Sequence, residues 1–168
     1  METENPKEII CRLLRNFYTL GWCTGSGGGI SIRESDDCIH IAPSGVQKEL
    51  TNPEDLYTMN VEGKIINAPE NPKLTPSECT PLFNAVYKLR KAGAVIHSHS
   101  VNAVLATRVF DSEFQCTSLE MIKGIKDHSN VDFCRVPIIE NTEKECLLTE
   151  RLRNAIIAYP RAQAVFVR

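Results

Sequence analysis

The sequence predicts an α/β fold, because segments with a helical spacing of apolar residues alternate with short runs typical of β-strands. Residues 6–20 carry large apolar side chains at positions that recur on one face of a helix. Residues 94–96 form a short apolar run directly after a second amphipathic segment. A length of 168 residues is enough for one domain with its own hydrophobic core and is too short for two domains of ordinary size. We therefore predict a single α/β domain over residues 1–168.

The composition narrows the class of protein. Hydrophobic residues make up 42% and charged residues 24%, as in an ordinary soluble globular protein. The formal net charge is −2 and the Lys and Arg residues are scattered, which argues against a nucleic-acid partner. No apolar run approaches the roughly 18 to 20 residues of a membrane helix, and the polar, acidic start METENPKE does not resemble a signal peptide. We therefore expect a cytoplasmic protein without a membrane partner.

The cysteine pattern is consistent with the expected cytoplasmic location. The seven cysteines are widely spaced and form no CxxC pair, so we expect free thiols and no disulfide framework.

The first helix has clear signals at both ends. Asn5 can cap it, Pro6 suits its first turn, and Gly21 suits its end. The other predicted elements are strands at 30–33 and 38–42, a hairpin of 56–60 and 64–67, a helix from 77 to 92, a buried strand at 94–96, a helix at 101–109, a strand at 134–140, a helix at 143–159 and a buried strand at 164–167.

Several details of these elements are also predicted. The helix that follows the possible capping box at 75–78 is expected to bury Leu82, Val86 and Leu89. Pro137 indicates an edge or a bulge in its strand. His40 lies within a strand, which favours a structural role over a ligand role.

The strongest chemical signal is the His-x-His pair that follows residues 94–96. Side chains at i and i+2 of a strand face the same side, so His97 and His99 can share one metal ion. Neutral imidazole nitrogens are common zinc ligands. A pair of ordinary polar residues at a strand end is the alternative.

Two glycine-containing loops can contact an anion. Residues 24–29, TGSGGG, hold four glycines in six residues, which lets backbone N–H groups approach a ligand closely. Ser44 and Gly45, followed by Lys48, can hold a phosphate or a sugar hydroxyl at a strand end. A flexible turn and a plain Pro-Ser-Gly turn remain open alternatives.

Two further segments carry candidate residues. Ser77, Glu78 and Cys79 lie at a predicted helix N-terminus, where the positive end of the helix dipole favours an anion or a carboxylate. Glu120 stands among apolar neighbours, where partial desolvation would suit acid-base chemistry. A capping role for Glu78 and a solvated Glu120 are the alternatives.

Taken together, these segments resemble the class II aldolase and adducin family, and within it the methylthioribulose-1-phosphate dehydratases of methionine salvage. The matching segments, in order along nearly the whole chain, are FYTLGW at 17–22, TGSGGGIS at 24–31, IAPSGVQKE at 41–49, CTPLF at 79–83, GAVIHSHS at 93–100, EMIKG at 120–124 and VPIIENT at 136–142.

The resemblance implies a three-layer α/β/α sandwich with a mostly antiparallel central sheet, assembled as a homo-oligomer, usually a tetramer. It also implies a zinc-dependent dehydratase that removes water from a small sugar phosphate, with one Zn²⁺ per subunit. His97 and His99 would be zinc ligands and Glu120 would move protons. Cys79 would lie against the substrate, and the candidates for contact with the phosphate are Gly28, Ser44, Gly45 and Ser77.

Two features of the sequence leave two alternative functions open. The family takes a third zinc histidine from a His-Gly motif after the strand that residues 164–167 would form, and this chain ends at Arg168, so we expect it to lack the C-terminal part of the domain. An adducin-like binding module without catalysis would fit that loss. Glu78 lies where related sugar-phosphate aldolases have their catalytic carboxylate, so an aldolase or epimerase is the other alternative.

Overall fold

A computed structural model of the chain describes residues 4–168. The chain forms two compact units that divide between Val101 and Asn102. The prediction of a single domain stays a prediction. Among residues 4–168, no helix combines the length and the apolar character that a membrane crossing requires.

The first unit is built on a five-stranded antiparallel sheet with strand order β4-β3-β2-β1-β5. The bounds of its helices and strands are α1 Pro6–Thr19, β1 Gly29–Ser35, β2 Cys38–Ile41, β3 Tyr57–Met59, β4 Ile65–Asn67, α2 Thr80–Arg90 and β5 Ala94–His97. The predicted first helix, with Asn5 accepting from the backbone N–H of Lys7, is confirmed. The predicted hairpin is also confirmed, since β3 and β4 pair across a turn in which Gly63 has a φ of +90°.

The two helices cover opposite faces of this sheet. Ile30 of β1 and Ala42, just after β2, pack with Ile10, Leu14 and Phe17, which belong to α1. The strand residues that alternate with these lie on the other face. They are Ile39 and Ile41 of β2 and Tyr57 and Met59 of β3, and they pack with Phe83 and Tyr87 of α2. Because side chains alternate across a strand, the unit is an α/β/α arrangement around one sheet.

The predicted details of α2 and β5 need correction. The helix begins at Thr80, and in place of a capping box the Ser77 hydroxyl accepts from the backbone N–H of Cys79. The fully buried positions include Phe83 and Tyr87, whereas the predicted Leu82, Val86 and Leu89 are half-buried. The β5 strand was expected to be buried, but Ile96 is 50% exposed because β5 is an edge strand of the sheet.

The second unit contains a three-stranded sheet of order β6-β7-β8. The bounds of its elements are α3 Val101–Val109, which begins at the division, β6 Glu113–Cys116, β7 Cys134–Ile139, α4 Thr149–Ala158 and β8 Phe166–Val167. The helix predicted at 101–109 is confirmed. The helix predicted from residue 143 begins only at Thr149, because a separate 3-10 turn occupies Glu145–Leu148.

Pro137 lies in the central strand of this sheet and within a regular register, contrary to the prediction of an edge or a bulge. It faces Glu113 across the antiparallel pair, and the neighbouring Ile138 donates its backbone N–H to the carbonyl of Ser112 at 2.8 Å. The parallel partner β8 pairs only from Ile138 onward, so the missing N–H of the proline breaks no ladder hydrogen bond. The final strand, β8, is shorter than predicted and is not buried, since Val167 is 39% exposed.

A buried tyrosine joins α2 to the sheet and predicts a loss of stability at alkaline pH. The Tyr87 hydroxyl donates to Oγ of Ser31 at 3.0 Å, and the guanidinium carbon of Arg33 lies 5.0 Å from the ring centroid. Burial raises the pKa of Tyr87 from its ordinary value of 10 to about 12. The neutral phenol therefore stabilises the fold fully below pH 10, and this contribution is lost as the pH rises from about 10 to about 12.

Denaturant titrations at several pH values between 8 and 12 would measure this effect as the difference between the native chain and Tyr87→Phe. We expect Tyr87→Phe to lower the free energy of unfolding by about 1 kcal/mol at pH 8, because the hydrogen bond is lost. Above pH 10, the free energy of unfolding of the variant should fall less steeply with pH than that of the native chain. Tyr18→Phe is the matched control, because Tyr18 is 48% exposed. Parallel pH curves for the native chain and Tyr87→Phe would contradict the assignment.

Candidate active site

Two histidines meet where β5 ends beside the start of β1. His97 is paired with Gly29, and the backbone N–H of His99 donates to the carbonyl of Trp22 at 2.7 Å. The centroids of the two imidazole rings lie 4.7 Å apart, with an angle of 52° between the ring planes. The structure therefore brings the predicted histidine pair together.

Cys79 joins the histidines from the start of α2. Its side chain is buried, and Sγ lies 3.0 Å from Nδ1 of His97. The backbone N–H of Cys79 donates to Oγ of Ser77 at 3.2 Å. A thiol from the start of α2 and two imidazoles from the end of β5 thus form one polar cluster.

The glycine loop packs directly against this cluster. A Cβ atom on Gly27 would lie 2.8 Å from both Cε1 and Nδ1 of His99. Gly28 has a φ of +74°, and a Cβ there would lie 2.5 Å from Sγ of Cys23 and 2.9 Å from the carbonyl oxygen of His97. Only glycine permits these approaches, so the loop holds the histidines in place.

This packing predicts that Gly28→Ala disrupts the cluster. Both the left-handed backbone and the two close contacts oppose a methyl group, so we expect a loss of more than about 2 kcal/mol in the free energy of unfolding. Thermal denaturation would measure it. Gly25→Ala is the matched control, because Gly25 has a φ of +57° and nothing within 4 Å of the added Cβ. Equal losses for the two variants would contradict the role of close packing.

Lys48 is a feature of the site whose position the sequence did not reveal. Its side chain is buried, and Nζ donates to the carbonyl of Ser26 at 3.0 Å and to that of Val46 at 3.1 Å. The sequence placed this lysine near a possible anion site, whereas these contacts tie the glycine loop to the segment after β2. A buried lysine has no signature in hydrophobic patterning, so only the structure locates it.

The other residues predicted to contact a phosphate lie along neighbouring loops of the first unit. Ser44 donates its backbone N–H to the carbonyl of Thr75 at 2.9 Å, which brings its loop beside the segment that leads to Ser77. Gly45 is exposed and has a φ of +67°. Contact of Ser44, Gly45 or Ser77 with a phosphate stays a prediction, as does a catalytic role for Glu78, which is exposed.

Glu120 belongs to the second unit, where it begins the 3-10 helix Glu120–Gly124. Its side chain is 62% exposed, forms an ion pair with Lys123 and accepts from Nδ2 of Asn130 at 3.2 Å. The carboxylate is therefore solvated, and the desolvated environment considered from the sequence is not observed. Its apolar neighbours explain the difference, because Met121 is 78% exposed and Leu119 is 55% exposed.

The donor set at the histidine pair fits a divalent metal ion. Two imidazoles whose ring centroids lie 4.7 Å apart offer nitrogen donors, and the Cys79 thiol adjoins one of them. Nitrogen and sulfur donors suit borderline-soft divalent metals.

The fold and this site define the class of protein. The chain belongs to the class II aldolase and adducin family: residues 8–168 match the family description "Class II Aldolase and Adducin N-terminal domain". The predicted fold class, a class II aldolase-like α/β fold with a mostly antiparallel sheet, is confirmed.

Within this family, the chain is similar to proteins named methylthioribulose-1-phosphate dehydratase. The chain is 49% identical to a "Probable methylthioribulose-1-phosphate dehydratase" of Drosophila grimshawi, over 98% of this chain and 75% of that protein. It is also 49% identical to the "Methylthioribulose-1-phosphate dehydratase" of Aquarana catesbeiana, over 99% of this chain and 73% of that protein.

Solved structures share the fold at low sequence identity. A structure titled "L-fuculose 1-phosphate aldolase" has a TM-score of 0.77 at 19% identity and covers 99% of this chain and 73% of its own. The l-fuculose-1-phosphate aldolase of Thermus thermophilus has a TM-score of 0.70 at 23% identity, over 96% of this chain and 75% of its own.

Proposed function

We propose that this chain is a methylthioribulose-1-phosphate dehydratase of methionine salvage that uses one zinc ion per subunit. The observation that carries the proposal is the 49% identity, over nearly the whole chain, to relatives of that name. The cluster of Cys79, His97 and His99 supports it, because the residue types of the dehydratase resemblance lie together in the fold.

The reaction is an elimination in which all atoms stay accounted for. Carbon 2 of the substrate is a ketone, a proton leaves carbon 3, and a hydroxide leaves carbon 4. The proton and the hydroxide together make water. The resulting enol becomes a ketone at carbon 3 as its O–H proton is lost and carbon 4 gains a proton, so the product is 2,3-diketo-5-methylthiopentyl 1-phosphate. Zinc supplies Lewis-acid chemistry at the ketone, where negative charge builds as the neighbouring proton is removed.

This chain's own residues hold the substrate and move the protons. We assign the zinc to His97 and His99, with another group or water completing the set of ligands. Glu120 is the proposed acid-base residue, and its solvated carboxylate is an acceptor for the carbon-bound proton.

The substrate contacts are assigned to the first unit. Cys79 lies against the substrate, and the Gly28 loop with Ser44, Gly45 and Ser77 binds the phosphate. Backbone N–H groups of glycine loops are suited to such anions. A cytoplasmic homotetramer is the proposed setting.

Product analysis tests the reaction. Purified chain incubated with methylthioribulose 1-phosphate should yield a diketone phosphate that keeps all carbon atoms of the substrate. Aldol cleavage would instead give two shorter fragments, detected by mass spectrometry. Fragments from fuculose 1-phosphate or ribulose phosphate, without conversion of methylthioribulose 1-phosphate, would replace the proposal with an aldolase that uses Glu78.

A further inference from the structure

Three potential metal ligands gather on the β1–β2 hairpin, away from the histidine pair. Glu34, Cys38 and His40 each offer one ligand atom, and these atoms all lie within 4.8 Å of one another. Cys38 and His40 stand at i and i+2 of β2, so they share a face of the sheet. One imidazole, one thiol and one carboxylate are a donor set typical of zinc.

A β-bulge supplies the third donor. Arg33 pairs with Ile39 and Ser35 pairs with Cys38, so Glu34 is the extra residue of β1 between these pairs. Bulges bend a strand and re-aim a side chain, and they recur near functional sites. Oε2 of Glu34 lies 3.0 Å from Nε2 of His40 and 3.4 Å from Sγ of Cys38.

The imidazole is held on its other side by a hydroxyl. His40 is buried at 5% exposure, and Nδ1 lies 3.1 Å from Oγ1 of Thr58 on β3. A metal-binding histidine needs such an outer partner, which fixes its tautomer and ring orientation. A threonine hydroxyl can donate to Nδ1 or accept from it, so Thr58 is compatible with either tautomer of His40.

These donors lie on the opposite face of the sheet from Cys79 and His97. His40 is paired with Ile32, which packs against the α1 cluster, whereas Val95 packs against the α2 cluster. His97 has the same parity in β5 as Val95, so the sheet separates the two sets of side chains.

We propose that Glu34, Cys38 and His40 form a second metal site, which takes a thiophilic divalent cation such as zinc and clamps the β1–β2 hairpin. The ligands are the Cys38 thiolate, Nε2 of neutral His40 and the Glu34 carboxylate, with water in the fourth position of a tetrahedron. The S–H bond of Cys38 breaks and its proton goes to the buffer. With Nε2 bound to the metal, the proton of the neutral imidazole lies on Nδ1, which donates to Oγ1 of Thr58.

Cobalt is the probe for this site, since a thiolate ligand gives Co²⁺ a charge-transfer absorption band in the near ultraviolet. The full chain carrying His97→Ala and His99→Ala isolates the hairpin from the first cluster. After removal of metal by a chelator, this protein should take up about one Co²⁺ per chain with that band. Adding Cys38→Ser should abolish the band. Cys146→Ser is the matched control at an exposed cysteine, and it should leave the band unchanged.

Thr58→Val separates metal binding from simple structural support. This variant keeps all three ligands and removes the outer partner, so the Co²⁺ affinity should fall by about ten- to a hundredfold. Melting without metal checks that each variant folds. A band that survives Cys38→Ser, or a folded protein that takes up no Co²⁺ at the hairpin, would overturn the proposal.

Discussion

Replacing His97 and His99 together with alanine is expected to lower dehydratase turnover by more than about a thousandfold and to remove the zinc at that site. The two rings are the nitrogen donors of the cluster, so their loss leaves no imidazole to hold the ion. Stabilisation of charge that develops during the reaction is worth about a hundred- to a thousandfold for a single group, and under the proposed function the metal ion would act on the ketone directly. Initial rates and elemental analysis after dialysis measure both effects.

The metal measurement belongs in a Cys38→Ser background, because an ion on the hairpin would otherwise add to the count. His128→Ala is the matched control, since His128 is half-buried in the second unit and its Nδ1 lies 2.9 Å from the carbonyl oxygen of its neighbour Lys126. It should keep the full rate. A double variant that retains one zinc per chain and native turnover would show that the reaction does not depend on the histidine pair.

The elements that depend on local chemistry were predictable from the sequence. The first helix has its cap at Asn5 and its apolar stripe within one segment, and α3 falls on the predicted residues. The hairpin of β3 and β4 follows from two strand-like runs on either side of a turn that contains Gly63. Such signals need no knowledge of the rest of the chain.

The mispredicted features depend on contacts between distant segments. The apolar run of β5 is typical of a buried strand, yet its burial depends on its place at the edge of the sheet. Pro137 indicated an edge or a bulge, but a regular central strand tolerates it because β8 pairs only beyond it. Strand order is a long-range property that local spacing does not encode.

At the candidate site too, features set by local spacing were predictable, whereas contacts between distant segments were not. The spacing of His97 and His99 predicted that they lie together, because i and i+2 are geometrically linked. The contact between Cys79 and His97 joins two distant elements, so spacing along the chain did not predict it, and the family resemblance implied only that Cys79 lies against the substrate. His40 was interpreted as structural, and it is indeed buried, but its proximity to Glu34 depends on a bulge that the sequence does not mark.

Replacing Glu120 with glutamine is expected to lower turnover by about a hundred- to ten-thousandfold, because the amide is isosteric and cannot accept a proton. The carboxylate contacts only exposed partners among those described, Lys123 and Asn130, so its removal should change the free energy of unfolding by less than about 0.5 kcal/mol. A loss of rate at unchanged melting temperature therefore reports on chemistry. Steady-state rates with unchanged zinc content complete the measurement.

Glu150→Gln provides a matched control for this variant. Glu150 is also an exposed glutamate at i, i+3 from a basic residue, with Oε1 at 3.7 Å from Nε of Arg153. It should keep the native rate, so a selective loss at Glu120 cannot be assigned to a missing surface ion pair. Native turnover in Glu120→Gln would remove Glu120 from the reaction. The exposed Glu78 would then be the next carboxylate to test, by Glu78→Gln in the same assay.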